Sequence, residues 1–172
     1  MTVSDVSIRP AVPDDAPAIL ALHRKVAALP GGLAREPGEV TAGYIAHAMA
    51  VAADGGVNLV AVSADGALCG ELHVERMKVG IFTHVLTDLT VAVDPDWHGQ
   101  GVGSALFHRL IETARTMTPP VGRIELWTGA SNLGAQRLYE RLGFKIEGRM
   151  IGRGRHPDGT VEDDIVMGLL LD

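Results

Sequence analysis

The sequence predicts one α/β or α+β domain with a mixed sheet, and three observations carry that prediction. Short apolar runs of strand length alternate with segments whose apolar residues recur at helical spacing. Turn signals made of Pro, Gly, Asp and Asn separate them, with no repeat, linker or low-complexity tract in between. At the centre, Leu89 to Val93 reads as a buried strand that runs through a glycine loop into a helix and on to a further strand at Arg123 to Trp127. Mixed strands and helices around such a unit define the class.

Composition bounds the function. The 172 residues suit a single domain, large enough to bury about 70% of its unfolded surface. Hydrophobic content of 47% with 21% charged residues is ordinary for a globular chain. A net charge of -6 argues against wholesale nucleic-acid binding. No run approaches the roughly 18 apolar residues of a membrane span. Met1 to Pro10 is polar and lacks the apolar core of a signal peptide. Cys69 is the single cysteine, which excludes an internal disulfide and fits a reducing cytoplasm.

In chain order, Val6 to Arg9 alternates as a first strand. Pro13, Asp14 and Asp15 supply a helix start, Ile19, Leu20, His23 and Val26 mark one helix face, and Pro30-Gly31-Gly32 ends it. Val40, Tyr44, Ile45 and Met49 space a second helix, and Asp54-Gly55-Gly56 turns the chain. Val57 to Val62 and Ala67 to Met77 are strands joined at the hairpin signal Ala64-Asp65-Gly66. Gly80 turns into a fourth strand, Thr83 to Val93. The helix from Gly101 runs to about Met117 and breaks at Thr118-Pro119-Pro120. After the fifth strand, Ser131 and Asn132 open a short helix with Ala135, Leu138, Tyr139 and Leu142 on one face, closed by Gly143. Phe144 to Ile151 and Asp164 to Leu171 are the last strands, joined through the turn Pro157-Asp158-Gly159.

The stretch from Val91 to Ser104 carries the chemistry. Asp94 and Pro95 stop the strand, because Pro has no N–H for the ladder. Gly99, Gly101 and Gly103 follow at every second position. Residues without Cβ let backbone N–H groups approach a ligand, and a helix start leaves its first N–H groups unpaired. That arrangement attracts phosphate oxygens. A dinucleotide fingerprint is not met, since Ser104 stands where its third glycine belongs, which argues against a nucleotide-dependent oxidoreductase. A nucleoside-triphosphate loop fails for want of Lys.

His98-Gly99-Gln100-Gly101-Val102-Gly103 resembles the acyl-coenzyme A loop of the GNAT superfamily of N-acyltransferases, Arg/Gln-x-x-Gly-x-Gly/Ala, and departs from it at His98. A second motif is more specific. Asn132-Leu133-Gly134-Ala135-Gln136-Arg137-Leu138-Tyr139-Glu140-Arg141-Leu142-Gly143-Phe144 is similar to the family's Asn-x-x-Ala-x-x-Leu-Tyr-x-x-x-Gly-Phe. The opening Ile8-Arg9-Pro10 with Asp14-Asp15-Ala16 also fits. The ending Glu147-Gly148-Arg149, Asp158-Gly159 and Asp164 resembles the branch of amino-acid and ribosomal-protein N-terminal acetyltransferases.

The resemblance implies a mostly antiparallel mixed sheet, flanked by helices, whose fourth and fifth strands splay apart to receive acetyl-CoA as co-substrate. Backbone groups of His98, Gly99, Gln100, Gly101, Val102, Gly103 and Ser104 would hold its pyrophosphate. Val91, Ala92 and Val93 would pair with the pantetheine arm, the Val93 N–H facing the thioester carbonyl. Asn132, on sequence alone a helix cap, would hold the arm with Ala135, and Tyr139 would donate a proton to the departing thiolate. His98 lacks the fixed charge of Arg, and Asp94 and Asp96 lie beside it, so Arg137 or Arg141 is a candidate for compensating charge.

The base is open. Glu71, His73 and Glu75 alternate on one strand face, and Asp88 and Thr90 share a face of the fourth strand. Any of them, Asp88 first, or a water chain would serve, although a solvated strand face is the ordinary reading. No paired metal-ligand motif is present, so no metal is expected. Cys69 reads as a small core residue. The expected activity is acetyl transfer to a primary amine of a small molecule, an amino acid first, by direct attack in a ternary complex. A protein N-terminus or lysine is the alternative acceptor, and an acyl-CoA-binding sensor without turnover is the alternative class. Leu29 to Glu39, the second helix and the Gly152 to Thr160 turn would wall the acceptor, with Arg153 and Arg155 available to a carboxylate. Neither a nucleic acid nor a membrane is an expected partner, and the resemblance admits a homodimer.

Overall fold

The computed structural model describes residues 6–171, so residues 1–5 of the polar opening and Asp172 lie outside it. Its strands are β1 (Val6–Pro10), β2 (Val57–Ser63), β3 (Leu68–Arg76), β4 (Val85–Val93), β5 (Arg123–Gly129), β6 (Lys145–Arg155) and β7 (Val161–Leu170). Its helices are α1 (Ala16–Ala27), α2 (Ala42–Ala50), α3 (Val102–Thr116) and α4 (Leu133–Arg141). The strands form one sheet in the order β1-β2-β3-β4-β5-β7-β6. Every pairing is antiparallel except β4 with β5. That exception follows from connectivity, because a parallel neighbour needs a crossover and α3 supplies it.

The parallel pair is short. β4 meets β5 only at Val85↔Arg123 and Leu86↔Ile124, and the two strands then part. Two features separate them. β5 is committed along its whole length to β7, from Arg123↔Leu170 to Gly129↔Asp164. β4 carries a bulge: Glu75 pairs with Thr87 and His73 with Thr90, so Asp88 and Leu89 together oppose Val74. Asp88 adopts φ 50, a left-handed conformation that few non-glycine residues take. A bulge bends its strand and sharpens the twist, which swings the end of β4 away from β5. The bulge also corrects the expected i, i+2 relation of Asp88 and Thr90, since simple alternation does not run through it. Thr90 is the cross-strand partner of His73.

Helices cover both faces. On one face α3 packs Val102, Leu106, Phe107 and Leu110 against Leu59, Leu72, Leu86, Ile124 and Leu126 of the sheet. Tyr139 of α4 and Phe144 close this core around Phe107, with ring centroids 5.2 and 6.1 Å from it. On the other face Ile19, Leu22 and Val26 of α1 and Ile45 of α2 lie against Val60 and Ala92. Each fully buried large apolar side chain contributes about 1.5–3 kcal/mol. Cys69 belongs to the first core, its thiol raised by burial.

α4 starts at Asn132, whose side chain accepts from the Ala135 N–H at 3.1 Å, and stops before Gly143 at φ 99. The last hairpin is longer than its apolar runs suggest. The turn at Pro157-Asp158-Gly159 sits inside a ladder that closes at His156 N–H to Thr160 carbonyl, 2.9 Å, and irregularities at Gly148 and Gly154 absorb the mismatch. Among the described residues no helix is long and apolar enough to cross a membrane.

Candidate active site

The glycine loop follows β4 through a tight turn. Asp94 accepts from the Asp96 N–H, and Lys25 of α1 reaches across to both carboxylates at 2.7 and 2.9 Å. The negative charge of Asp94 and Asp96 is therefore met by Lys25. Sequence gave no sign of that contact, because it joins positions about 70 residues apart. Gly99 and Gly101 take φ 73 and 85, and Gly101 is the N-cap of α3. Only glycine adopts such angles without strain.

The N–H groups from Gly99 to Ser104 have no acceptor among the described residues, and the first helical bond at this end is Ala105 N–H to Gly101 carbonyl. Six consecutive unpaired donors thus lie at the positive end of a 15-residue helix. A phosphate or diphosphate fits this donor set. Arg137 gives its Nε–H to the Leu133 carbonyl of its own helix, and its exposed Nη groups make no hydrogen bond to a described residue.

β4 carries the line of donors onward. Asp94 gives its N–H to the Cys69 carbonyl at 2.9 Å, and alternation then turns the main-chain groups of Val93 and Val91 away from β3. They face the gap that β5 vacates, while Ala92 faces β3 and is fully buried. His98 is placed differently from a charge carrier. Its Nε2 lies 3.0 Å from the Val93 carbonyl, so the ring caps the last carbonyl of β4.

Tyr139 stands on α4. Its ring packs among Phe107 and Phe144, and its hydroxyl makes no hydrogen bond to a described residue. Burial pushes its pKa up to about 12, above the ordinary 10. The hydroxyl therefore stays protonated, a donor, over the working pH range. Asn132 uses its oxygen as the cap, which leaves its amide N–H groups to donate.

On the opposite face, beside the parting of β4 and β5, charges gather. The Asp88 carboxyl is raised by burial first and then by Glu75 and Glu125, with Arg153 and His47 opposing. Glu75 pairs with His47 at 2.6 Å, Glu125 accepts from Thr87 at 3.0 Å, and Arg153 lies over the Trp127 ring at 4.7 Å while bonding Asp164. Arg35, from the chain between α1 and α2, lies over the Tyr44 ring at 4.4 Å and forms no salt bridge with a described carboxylate.

Glu71 and His73 do not lie on a solvated face. Both are buried, at 0% and 4% exposure, and α1 brings His23, also at 0%, against them. The Glu71 carboxylate faces His23 Nε2 at 2.8 Å and His73 Nδ1 at 3.0 Å. Burial alone would raise its pKa, but charge on His73 and the hydrogen bonds from both imidazoles outweigh it, so Glu71 sits below the usual carboxylate value. The three groups offer donor atoms within 4.8 Å of one another. Here those atoms satisfy each other as N–H to oxygen bonds. Sequence placed His23 on the packed side of its helix but had no means of pairing it with a strand 48 residues away.

A sheet split beside a strand, a row of free amides and a helix start defines an acyl-coenzyme A type of cleft. Residues 32–144 match the acetyltransferase (GNAT) family, and the chain belongs to that family. Two curated relatives from Escherichia coli K12 are similar to it. One is an L-amino acid N-acetyltransferase, 33% identical over 54% of this chain and 56% of that protein. The other is a [ribosomal protein bS18]-alanine N-acetyltransferase, 38% identical over 55% of this chain and 64% of that protein. The matches thus span less than two thirds of either relative. Among solved structures, a GCN5-related N-acetyltransferase from Kribbella flavida superposes with a TM-score of 0.85, 26% identity and coverage of 98% of this chain and 99% of that one. A Salmonella typhimurium acetyltransferase solved with acetyl-CoA gives 0.85 at 24% identity, over 98% and 95% of the two chains, which supports the fold. The mixed sheet with parted central strands is therefore the family's fold, as the sequence implied.

Proposed function

We propose that the protein is an N-acetyltransferase that moves an acetyl group from acetyl-CoA to a primary amine of a small molecule, with an amino acid as the first candidate. One observation carries this reading: the unpaired amides of residues 99–104 follow, one tight turn later, the edge of β4 that β5 leaves at Val91 and Val93. Diphosphate and an amide-bearing arm need those two features in that order.

Acetyl-CoA would supply the activated acetyl group. The chain's own residues then act on protons and charge. The Val93 N–H stabilises negative charge that develops on the carbonyl oxygen, an effect worth about 2.7–4 kcal/mol for one well-placed donor. As the tetrahedral species collapses the attacking nitrogen loses its second proton and the departing sulfur gains one, and Tyr139, which keeps its own proton with its ionisation at about 12, donates a hydrogen bond to that sulfur. Asn132 holds the arm through its amide N–H groups. Asp88 places a carboxyl on the acceptor side that makes no salt bridge to a described residue, and its ionised form would favour a cationic ammonium. Asp88 is also one candidate to receive its proton. Arg35 favours an acceptor that carries a carboxylate, because its guanidinium sits over the Tyr44 ring and meets no acid among the described residues. Arg153, already bonded to Asp164, suits that task less well.

The bS18-alanine acetyltransferase relative favours a second reading, acetylation of a protein N-terminus. Initial rates with acetyl-CoA against the twenty L-amino acids, simple amines and an alanine-headed peptide, followed by thiol release, separate the two. Release with amino acids in an intersecting, sequential rate pattern supports the proposal. Release only with the peptide selects the second reading, a ping-pong pattern contradicts direct attack, and binding without thiol release points to a sensor.

A further inference from the structure

The buried cluster of Glu71, His23 and His73 is not explained by packing. An ion triad in the core is costly unless its charges are matched, and a simple apolar trio would fill the same space. Its geometry has a direction. The carboxylate is sealed, at 0% exposure, as is His23. His73 keeps 5% side-chain exposure. Its Nδ1 is turned inward onto Glu71 at 3.0 and 3.2 Å, and Nε2 therefore lies on the outward side of the ring with no hydrogen bond to a described residue. A carboxylate that accepts from Nδ1–H fixes the neutral ring with its lone pair on Nε2. That is the form in which an imidazole takes a proton.

The surroundings point the same way. Two residues beside His73 carry a buried polar atom without a well-formed hydrogen bond, Tyr44 Oη and Asn58 Oδ1, although the Thr90 side chain and Arg35 lie close enough to Tyr44 to act on its hydroxyl. Tyr44 stands edge-on to His73 with centroids 6.0 Å apart, and Asn58 is the cross-strand neighbour of His73 on β2. Buried polar atoms in a native protein are nearly always satisfied, by water if not by protein. On β4 the neighbour is Thr90, whose strand has the parted cleft on its other edge. One strand spacing, about 4.8 Å, separates His73 from β4, and the cleft opens on the far edge of that strand, so the reach from the ring to the cleft is one for ordered water rather than for direct contact.

We propose that His73 is the proton acceptor for the incoming amine, working through ordered water, with Glu71 and His23 as the residues that position it. This inference rests on the acetyl-transfer reading above. The acceptor ammonium loses one N–H bond. Its proton passes through the water to His73 Nε2, and its lone pair stays on nitrogen for attack on the acetyl carbon. The imidazolium then lies against a carboxylate, and it returns the proton to solvent after product leaves. An imidazole suits the task better than an Asp88 carboxylate. Its reference pKa of about 6.5 lies nearer that of an amine than the roughly 3.9 of an aspartate. The groups that bear on His73 are Glu71 and Glu75 on its own strand, His23 on α1, Tyr44 and His47 on α2, and Arg35 over Tyr44. β2 and β4 present the uncharged Asn58 and Thr90.

The test compares wild type, His73→Gln, Glu71→Gln and Asp88→Asn with acetyl-CoA and the fastest amine of the panel, as kcat/KM against pH. The expected result is a wild-type acid limb that disappears in His73→Gln together with about a hundredfold of the rate at neutral pH, acetyl-CoA affinity being unchanged. Glu71→Gln moves the limb to lower pH, because the imidazolium loses its carboxylate. Free imidazole restores rate to His73→Gly, an effect that a structural role would not produce. Nitrogen NMR of the unliganded protein finds the neutral His73 ring protonated on Nδ1. The inference is overturned if His73→Gln keeps both rate and limb, if Asp88→Asn alone removes the limb, or if a chelator abolishes activity that zinc restores. No thiol release by wild type with any amine overturns the acetyl-transfer reading as well. Full wild-type activity beside an unaffected His73→Gln overturns this inference alone.

Discussion

Replacing Glu71 with glutamine changes one atom type at the centre of the buried cluster, and its cost follows from the hydrogen bonds. The carboxylate accepts from His23 Nε2 at 2.8 Å and from His73 Nδ1 at 3.0 Å, with all three groups shielded from water. A glutamine offers one oxygen and one NH2, so one imidazole N–H meets a donor. One charge-assisted bond becomes neutral and the other is lost. At about 1.5–3 kcal/mol for each bond to a charged group, the loss is about 3 kcal/mol at pH 7. For a domain of this size that corresponds to roughly 6–12 °C in Tm. The pH dependence has a definite sign. The Glu71 carboxyl is depressed below 4.5 in the folded state, so its contribution is complete above 4.5 and is lost as pH falls through the folded value. Urea denaturation of both proteins between pH 7 and pH 3, followed by circular dichroism, gives a gap that is full at neutral pH and narrows in acid. Equal stability at pH 7 would refute the reasoning, as would a gap that stays constant into acid.

Tyr139→Phe leaves the fold intact, lowers turnover by about a hundredfold or more and leaves acetyl-CoA affinity nearly unchanged in calorimetry. Because burial puts the Tyr139 ionisation at about 12, the wild-type rate profile shows no basic limb from this group below about pH 10. Gly101→Ala forces a side chain to φ 85, which costs about 1–2 kcal/mol. Denaturation measures that loss, and a coenzyme A titration shows weaker binding. Phe107→Ala removes the ring between Tyr139 and Phe144 and costs about 3–5 kcal/mol, visible as a lowered melting temperature.

The sequence was most legible where local chemistry decides the structure. Pro95 after an apolar run, glycines at 99 and 101, and Gly143 behind a periodic helix mark their elements because backbone angles and missing donors act within a few residues. The strand-helix-strand unit and the motif from Asn132 to Phe144 led to the right family for the same reason. The bulge at Asp88 was hidden, since an aspartate in a left-handed conformation leaves no glycine to announce it. Glu71 and His73 looked like a wet face because charge pattern alone cannot show a helix laid over it. Lys25 against Asp94 and Asp96, Arg35 on Tyr44 and His23 on Glu71 are contacts between segments distant in sequence, and only the packed fold brings them together.

Amide hydrogen exchange with and without acetyl-CoA tests the central claim most directly. The account predicts slowed exchange from Val91 to Ser104, strongest at the donors of residues 99–104, with Val91 and Val93 protected on the β5 side of their strand. Protection confined to another part of the sheet, or unchanged exchange across residues 91–104 at saturating acetyl-CoA, would contradict it.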